Sequence, residues 1–279
     1  MTFGVQFLTF RLLGSIIAGM PRFGDVFLFR LVWFFFRIIQ KAEVHRVNAH
    51  LGLSRISPVP SAESIYQSMF LNGLDSLRYL LRKPQMDSRV QVLNAPLLQQ
   101  LLKNNIPVVV VSIHIGAFEM LHRSLSRFDR PMNLITSHHL PNALERFLES
   151  VRSTSNLKMF RPEDSPRLLK ELIRQSHPVA IMIDQSRQGK GIEVPFLGRP
   201  NHLWLRFPLQ ANQAGATIVT VRAIRKEGKH IIQFENAYPP HTDTQTLTQS
   251  LTQEFEQWIR ENPEQWTWNY PRLWESGKR

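Results

Sequence analysis

The groups in this chain best placed to do chemistry are His114 and Glu119, in the segment Pro107–Met120, PVVVVSIHIGAFEM. An imidazole takes up a proton near neutral pH, and a carboxylate beside it can fix the ring's tautomer and stabilise the imidazolium. Such a pair activates a hydroxyl group that is otherwise far too weak an acid to attack at pH 7. The spacing alone says little, because ten His and fifteen Glu give roughly half a match by chance. His230 and Glu235 repeat it, but within an alternating strand pattern, where residues an odd number apart face opposite sides. His114 differs: between it and Glu119 the chain passes from an apolar strand to a helix start. Asp184, at the end of the apolar run Pro178–Ile183, is a second strand-end group that either orients an Arg or Lys or caps the next turn.

Apolar periodicity supplies the elements that must hold these residues. Ala62 to Leu81 reads as an amphipathic helix with Ser61 as N-cap, and Pro96 to Leu102 as a short helix. Strands are expected at Val108–Ile113, Pro131–Thr136, Leu157–Phe160, Pro178–Ile183 and Ile192–Phe196. Helices are expected at Pro141–Ser153, Pro166–Gln175, Leu203–Ala214 and Thr246–Glu261. Thr217–Ile224 and His230–Glu235 flank Lys226-Glu227-Gly228-Lys229, a hairpin signal. Apolar strands alternating with helices predict an α/β fold: a central mixed, largely parallel sheet flanked by helices, with an antiparallel element late in the chain. Sites in such sheets collect at the carboxyl ends of strands, where His114 and Asp184 both fall.

The first forty residues differ in kind. They hold half of the 18 Phe, with Trp33, and Arg11, Arg22, Arg30 and Arg37 against the single acid Asp25. The longest uncharged stretch, Leu12 to Pro21, is well short of the about 20 residues of a spanning helix. The composition predicts interfacial helices broken at Pro21, with a short tilted anchor from Phe3 to Met20 as the alternative. A signal peptide is not expected, since Ala18-Gly19-Met20 is a poor cleavage site and hydrophobicity resumes beyond it. Residues 1–42 are thus expected to form a membrane-associating segment and 43–279 the domain that holds His114 and Glu119, with the polar stretch Lys41–Ser61 as the candidate boundary.

A formal charge of +12 predicts anionic partners: lipid, or an acidic protein. No Lys/Arg block marks a nucleic-acid arm. With no cysteines there are no disulfides and no thiolate nucleophile or ligand. No metal is expected, because His138 and His139 are adjacent and point apart. Walker A, G-x-G-x-x-G and G-x-S-x-G patterns are missing. Trp258, Trp266, Trp268 and Trp274 read as an interfacial belt or as buried packing.

His114-Ile-Gly-Ala-Phe-Glu119 after a Val-rich strand resembles the HxxxxE block of the bacterial lipid A biosynthesis (secondary) acyltransferases, within the glycerolipid acyltransferase superfamily. Ile183-Asp184-Gln185 and Gly189-Lys-Gly-Ile-Glu-Val-Pro-Phe-Leu-Gly198-Arg-Pro200 are similar to that family's DQ and VPFFGxP blocks. Arg152 falls where the family carries an Arg, and Asn262-Pro-Glu-Gln-Trp-Thr-Trp268-Asn-Tyr-Pro-Arg272 resembles its PEQYxWxHxR ending. Asn201-His202-Leu203 and Tyr270 depart from the family's pattern at positions that bear on the acceptor or donor pocket.

The resemblance implies transfer of an acyl chain from a thioester to a lipid hydroxyl, with His114 as general base and Glu119 orienting its ring. The acceptor it implies is a lipid A precursor; a lysophospholipid, mannosylated lipid or aminolipid is the alternative, and an inactive membrane-binding relative the rival of another class. The co-substrate would be acyl carrier protein or acyl-CoA, with no other cofactor, at the cytoplasmic face of the inner membrane. Arg152, Asp184, Gln185, Phe196, Gly198 and Arg272 are the expected substrate-binding residues: Arg152 for a phosphate or as a solvated charge, and Phe196 and Gly198 beside the acyl channel or in plain core. Arg187 and Lys190 read as a phosphate cradle or an exposed hairpin. The backbone N–H groups near Gly116 are candidates to stabilise the oxyanion.

Overall fold

The Val-rich run becomes the middle of a sheet, because residues this apolar must be covered on both faces. The computed structural model describes residues 3–81, 84–136, 142–152, 156–186 and 191–270. Its helices are α1 (Phe3–Gly19), α2 (Asp25–Ile39), α3 (Lys41–Leu53), α4 (Ala62–Leu80), α5 (Pro84–Asp87), α6 (Ala95–Lys103), α7 (Glu119–Leu125), α8 (Asn142–Arg152), α9 (Ser165–Gln175), α10 (Arg206–Gln213) and α11 (Thr244–Glu261). Strands are β1 (Val90–Leu93), β2 (Val108–Ser112), β3 (Met132–Ile135), β4 (Leu157–Phe160), β5 (Val179–Met182), β6 (Ile192–Phe196), β7 (Arg199–Leu203), β8 (Thr217–Lys226) and β9 (Lys229–Tyr238). Seven strands join in the order β1-β9-β8-β2-β5-β3-β4, and β6 and β7 form a separate hairpin. All pairings in the large sheet are parallel except that of β8 with β9.

Alternation along β2 divides the core. Val109 and Val111 join Val179, Ile181 and Ile218 under Leu168 and Leu172 of α9 and Leu247, Leu251 and Phe255 of α11. Val108 and Val110 face the other way, onto Leu98 and Leu102 of α6 and Met120, Leu121 and Leu125 of α7. The polar stretch expected as a boundary folds into α3, and Val47 and Leu51 enter the first of these clusters. Ser61 caps α4 as expected, accepting from the Ser64 N–H at 3.1 Å.

Some elements depart from the sequence reading: β1, α3 and α5 have no counterpart in it. Arg199–Leu203 is a strand, and the helix expected from Leu203 begins only at Arg206. Pro195 and Pro200 lie opposite each other in this hairpin, where an isolated two-stranded ribbon leaves edges that tolerate a missing N–H. Its turn residues Leu197 and Gly198 have φ values of 52° and 83°, the left-handed pair that a two-residue hairpin turn requires.

The N-terminal helices break at Pro21 and are docked to the body by buried charge. Arg78 of α4 donates to both carboxylate oxygens of Asp25, at 2.6 and 2.7 Å, and to the Met20 carbonyl at 3.1 Å. Gly14 of α1 packs directly on the Phe147 ring of α8. No single helix among the described residues is long and apolar enough to cross a membrane; Arg11–Gly19 and Arg22–Ile39 meet at a 100° bend. Large apolar side chains along the pair face outward, with Phe23 89 % and Phe27 73 % exposed.

Candidate active site

Register brings the two strand-end residues together. Ser112 on β2 lies beside Met182 on β5, and the Ile183 N–H donates to the Ser112 carbonyl at 3.1 Å. Two residues further on, His114 and Asp184 therefore emerge side by side at the carboxyl edge. Asp184 Oδ1 lies 2.7 Å from His114 Nδ1, and Oδ2 accepts from the His114 backbone N–H at 3.0 Å and the Trp266 indole N–H at 2.9 Å. Burial on its own would raise the Asp184 carboxyl; the imidazole beside it and these donated hydrogen bonds outweigh burial and hold it below the usual carboxylate range. With Nδ1 facing the carboxylate, Nε2 is left without a protein partner among the described residues, on a side chain 22 % exposed.

This geometry corrects the expected role of Glu119. The carboxylate that holds the ring is Asp184. Glu119 faces Arg152, whose Nε donates to Oε2 at 2.8 Å and whose Nη2 donates to Oε1, and it lies 3.2 Å from His122 Nδ1. Burial pushes the Glu119 carboxyl up, and the His122 hydrogen bond and the Arg152 charge more than reverse this, leaving it well below its ordinary value. The cause of the divergence is Gly116, at φ +58°: the chain turns there, so Glu119 starts α7 pointing away from the ring. Phe118 instead meets the imidazole edge-on, at 4.9 Å between ring centres.

Gly116 has no room for a side chain. A Cβ there would lie 2.0 Å from the Ala223 carbonyl oxygen of β8. Its N–H donates to the Gln265 carbonyl at 2.8 Å, so of the N–H groups expected near this position the one on Gly116 itself is not available to an oxyanion.

The C-terminal segment closes over this loop like an extra strand. Ile115 and Trp266 form an antiparallel bridge, and the Thr267 N–H donates to the His114 carbonyl at 3.3 Å. Gln185 donates to Thr267 Oγ1 at 3.2 Å, and the Tyr270 hydroxyl donates to the Ser186 carbonyl at 2.8 Å. His50 Nδ1 lies 2.6 Å from the Trp268 carbonyl. Trp258, Trp266 and Trp268 are buried, which is packing and not an interfacial belt.

The remaining expected residues stand around this frame. Phe196 is buried, with its ring 6.0 Å from Trp266, and so supports the indole that holds Asp184. Gly198 is the hairpin turn, with Arg55 stacked where a Cβ would be, while the Leu197 N–H donates to Glu256 of α11 at 2.7 Å. Arg152 retains Nη1 without a protein partner among the described residues. Arg272, Arg187, Lys190, His138, His139 and Trp274 lie outside the described residues. Among those described, no group of three or more His, Asp or Glu is placed to hold a metal ion. The sequence reading missed Trp266 as a partner of Asp184, because nothing local distinguishes an indole that donates from one that only packs.

A histidine held by a buried carboxylate, with its second nitrogen facing outward from the carboxyl edge of an α/β sheet, can take up a proton from a group that approaches it there. The chain belongs to the bacterial lipid A biosynthesis acyltransferase family, whose family model it matches over residues 69–275. Membership makes it an acyltransferase of the lipid A type. No curated protein matches the chain.

Proposed function

We propose that the protein transfers a fatty acyl group from a thioester, carried by acyl carrier protein or coenzyme A, to a hydroxyl of a glycolipid such as a lipid A precursor. The observation that carries this reading is the Asp184–His114 pair with Nε2 unengaged. In its neutral form His114 takes the hydroxyl proton on Nε2 as the oxygen attacks the thioester carbonyl. Asp184 holds Nδ1–H and stabilises the imidazolium that forms. The tetrahedral intermediate collapses by breaking the C–S bond, and the imidazolium returns the proton to the leaving sulfur. The products are ester and thiol, with the base regenerated and no covalent enzyme intermediate. General-base catalysis of this kind supplies about 10²–10⁴-fold. Glu119 serves by fixing Arg152, whose remaining N–H groups suit a phosphate of either substrate.

The outward apolar residues of α1, α2 and the turn between them, among them Leu12, Ile16, Phe23, Phe27 and Phe35, support a protein that lies on a membrane surface, which for this reaction would be the cytoplasmic face of the inner membrane. A charge of +12 suits both anionic lipid and an acidic carrier protein. The test is purified protein incubated with acyl-carrier-protein thioester and a panel of lipid acceptors, with products read by mass spectrometry. A lipid A precursor should gain the mass of one acyl chain with the wild type and none with His114→Ala. Equal turnover by the two proteins would refute the mechanism, and acylation of another acceptor only would refute the substrate.

A further inference from the structure

The same elbow that presents Phe23 carries an excess of guanidinium groups. Asp75 of α4 lies at their centre: its Oδ2 accepts from Arg22 Nη2 at 2.6 Å and lies 2.9 Å from His230 Nε2, and its Oδ1 accepts from Arg78 at 3.2 Å. Arg225 is paired directly opposite His230 in the β8–β9 hairpin, so the two side chains share a face of the sheet. Arg89 joins the same corner, with its carbonyl accepting from the His230 N–H at 2.8 Å and its Nη1 donating to Gly228. The charges of Arg89, Arg225 and Arg78 all act on Arg22; burial first, and then these neighbours, lower its pKa despite Asp75.

Four guanidiniums, Arg22, Arg78, Arg89 and Arg225, thus meet two carboxylates, Asp25 and Asp75. Arg78 and Asp75 are sealed at 1 % exposure, whereas Arg22 is 22 % exposed and Arg89 and Arg225 are half-buried. The positive surplus is therefore on the open side. The Arg225 guanidinium makes no hydrogen bond or ion pair to a described residue, and the buried His230 Nδ1 has no partner either. Gln265 brackets the Arg225 backbone, donating to its carbonyl at 2.8 Å and accepting from its N–H at 2.7 Å, while the Gln265 carbonyl holds Gly116. The corner is thereby tied to the loop that carries His114.

We propose that Arg22, Arg89 and Arg225 form a binding site for the phosphate group of a membrane lipid, beside the apolar elbow and on the catalytic edge of the sheet. Guanidinium forks match the oxygens of a phosphate, and Phe23, 89 % exposed beside Arg22, places the site at headgroup depth. This inference rests on the reading that the α1–α2 surface meets lipid.

The test titrates the whole 279-residue chain in neutral detergent with a short-chain phosphatidic acid kept below its micelle-forming concentration. Wild type should bind it saturably, and more tightly than a phosphatidylcholine of the same chains. The double variant Arg89→Gln, Arg225→Gln, with an unchanged thermal midpoint, should bind at least about tenfold more weakly. Arg225→Lys, which keeps the charge and loses the fork, should fall between them. Lys103→Gln with Lys170→Gln removes the same charge at two exposed positions and should bind as wild type does.

Equal weakening by the two double variants would reduce the effect to net charge and overturn the site, as would undiminished binding by the arginine variant. Inorganic phosphate displacing the lipid at equal concentration would overturn its assignment to a lipid. Vesicle flotation separates the underlying reading: if wild type ignores vesicles of any composition yet still binds the soluble lipid phosphate through these arginines, the site stands and the membrane-surface reading falls.

Discussion

Asp184→Asn is the sharpest single perturbation, because the two side chains are nearly isosteric and only the charge and one acceptor change. Asp184 accepts from three N–H groups: His114 Nδ1, the His114 backbone and the Trp266 indole. An amide has one acceptor oxygen. If that oxygen faces His114 Nδ1, the amide NH₂ confronts the other two donors. If the NH₂ faces Nδ1, the ring must carry its proton on Nε2 and can no longer act as a base there. In either orientation the imidazolium also loses its counter-charge. At an effective dielectric of about 20, charges about 4 Å apart interact by about 4 kcal/mol. A loss of that size slows the chemical step about a thousandfold. The assay is steady-state acyl transfer with varied acceptor: kcat should fall by that order while KM stays within about a factor of two. A kcat within about tenfold of wild type in a folded Asp184→Asn protein would refute the arrangement. A larger loss in Glu119→Gln than in Asp184→Asn would return the ring-holding role to Glu119.

Trp266→Phe keeps the ring that packs on Phe196 but deletes one donor to Asp184, so kcat should fall about tenfold with lipid binding unchanged, as measured by the same assay alongside vesicle flotation. Gly116→Ala sets a methyl against the Ala223 carbonyl at a positive φ, and should cost about 2–4 kcal/mol, read as a lowered unfolding midpoint. Asp184 and Glu119 both have folded pKa values below the unfolded carboxylate range of about 4, so the stability they contribute is present above that range and lost as pH falls through the folded values. Unfolding followed from pH 7 to pH 3 should show the onset of that loss, and Glu119→Gln should start less stable at pH 7 but lose less on acidification.

Strands packed on both faces were legible because their apolar runs have no other use: the runs Val108–Ile113 and Pro178–Ile183 hold β2 and β5. Arg199–Leu203 was not legible, since Pro200 and Asn201 argue against a strand everywhere except on an edge. The candidate histidine stood out in the sequence, and the carboxylate that lies against its ring did not. Glu119 is five residues from His114 along the chain and looks local; Asp184 is 70 residues away and becomes a neighbour only through the β2–β5 register. The signal lay in two equally apolar runs, each ending in Ile followed by a polar residue. Using it required knowing that those runs are adjacent, and pattern within one strand does not carry that information.

The late segment Gln265–Tyr270 explains why the pair can sit at such an exposed edge. Beyond Ser112 the chain leaves the sheet, so the polar backbone groups of His114, Ile115 and Gly116 lose their strand neighbours. The C-terminal segment answers them: Gln265 takes the Gly116 N–H, Trp266 bridges Ile115, and Thr267 donates to the His114 carbonyl. Because this is an antiparallel surrogate strand, its alternate side chain Trp266 turns inward to Asp184 while Gln265 reaches across to Arg225. The loop that carries His114 is thus fixed by hydrogen bonds from residues about 150 positions later, and His114 gains its orientation only once the whole sheet and its C-terminal strap have assembled.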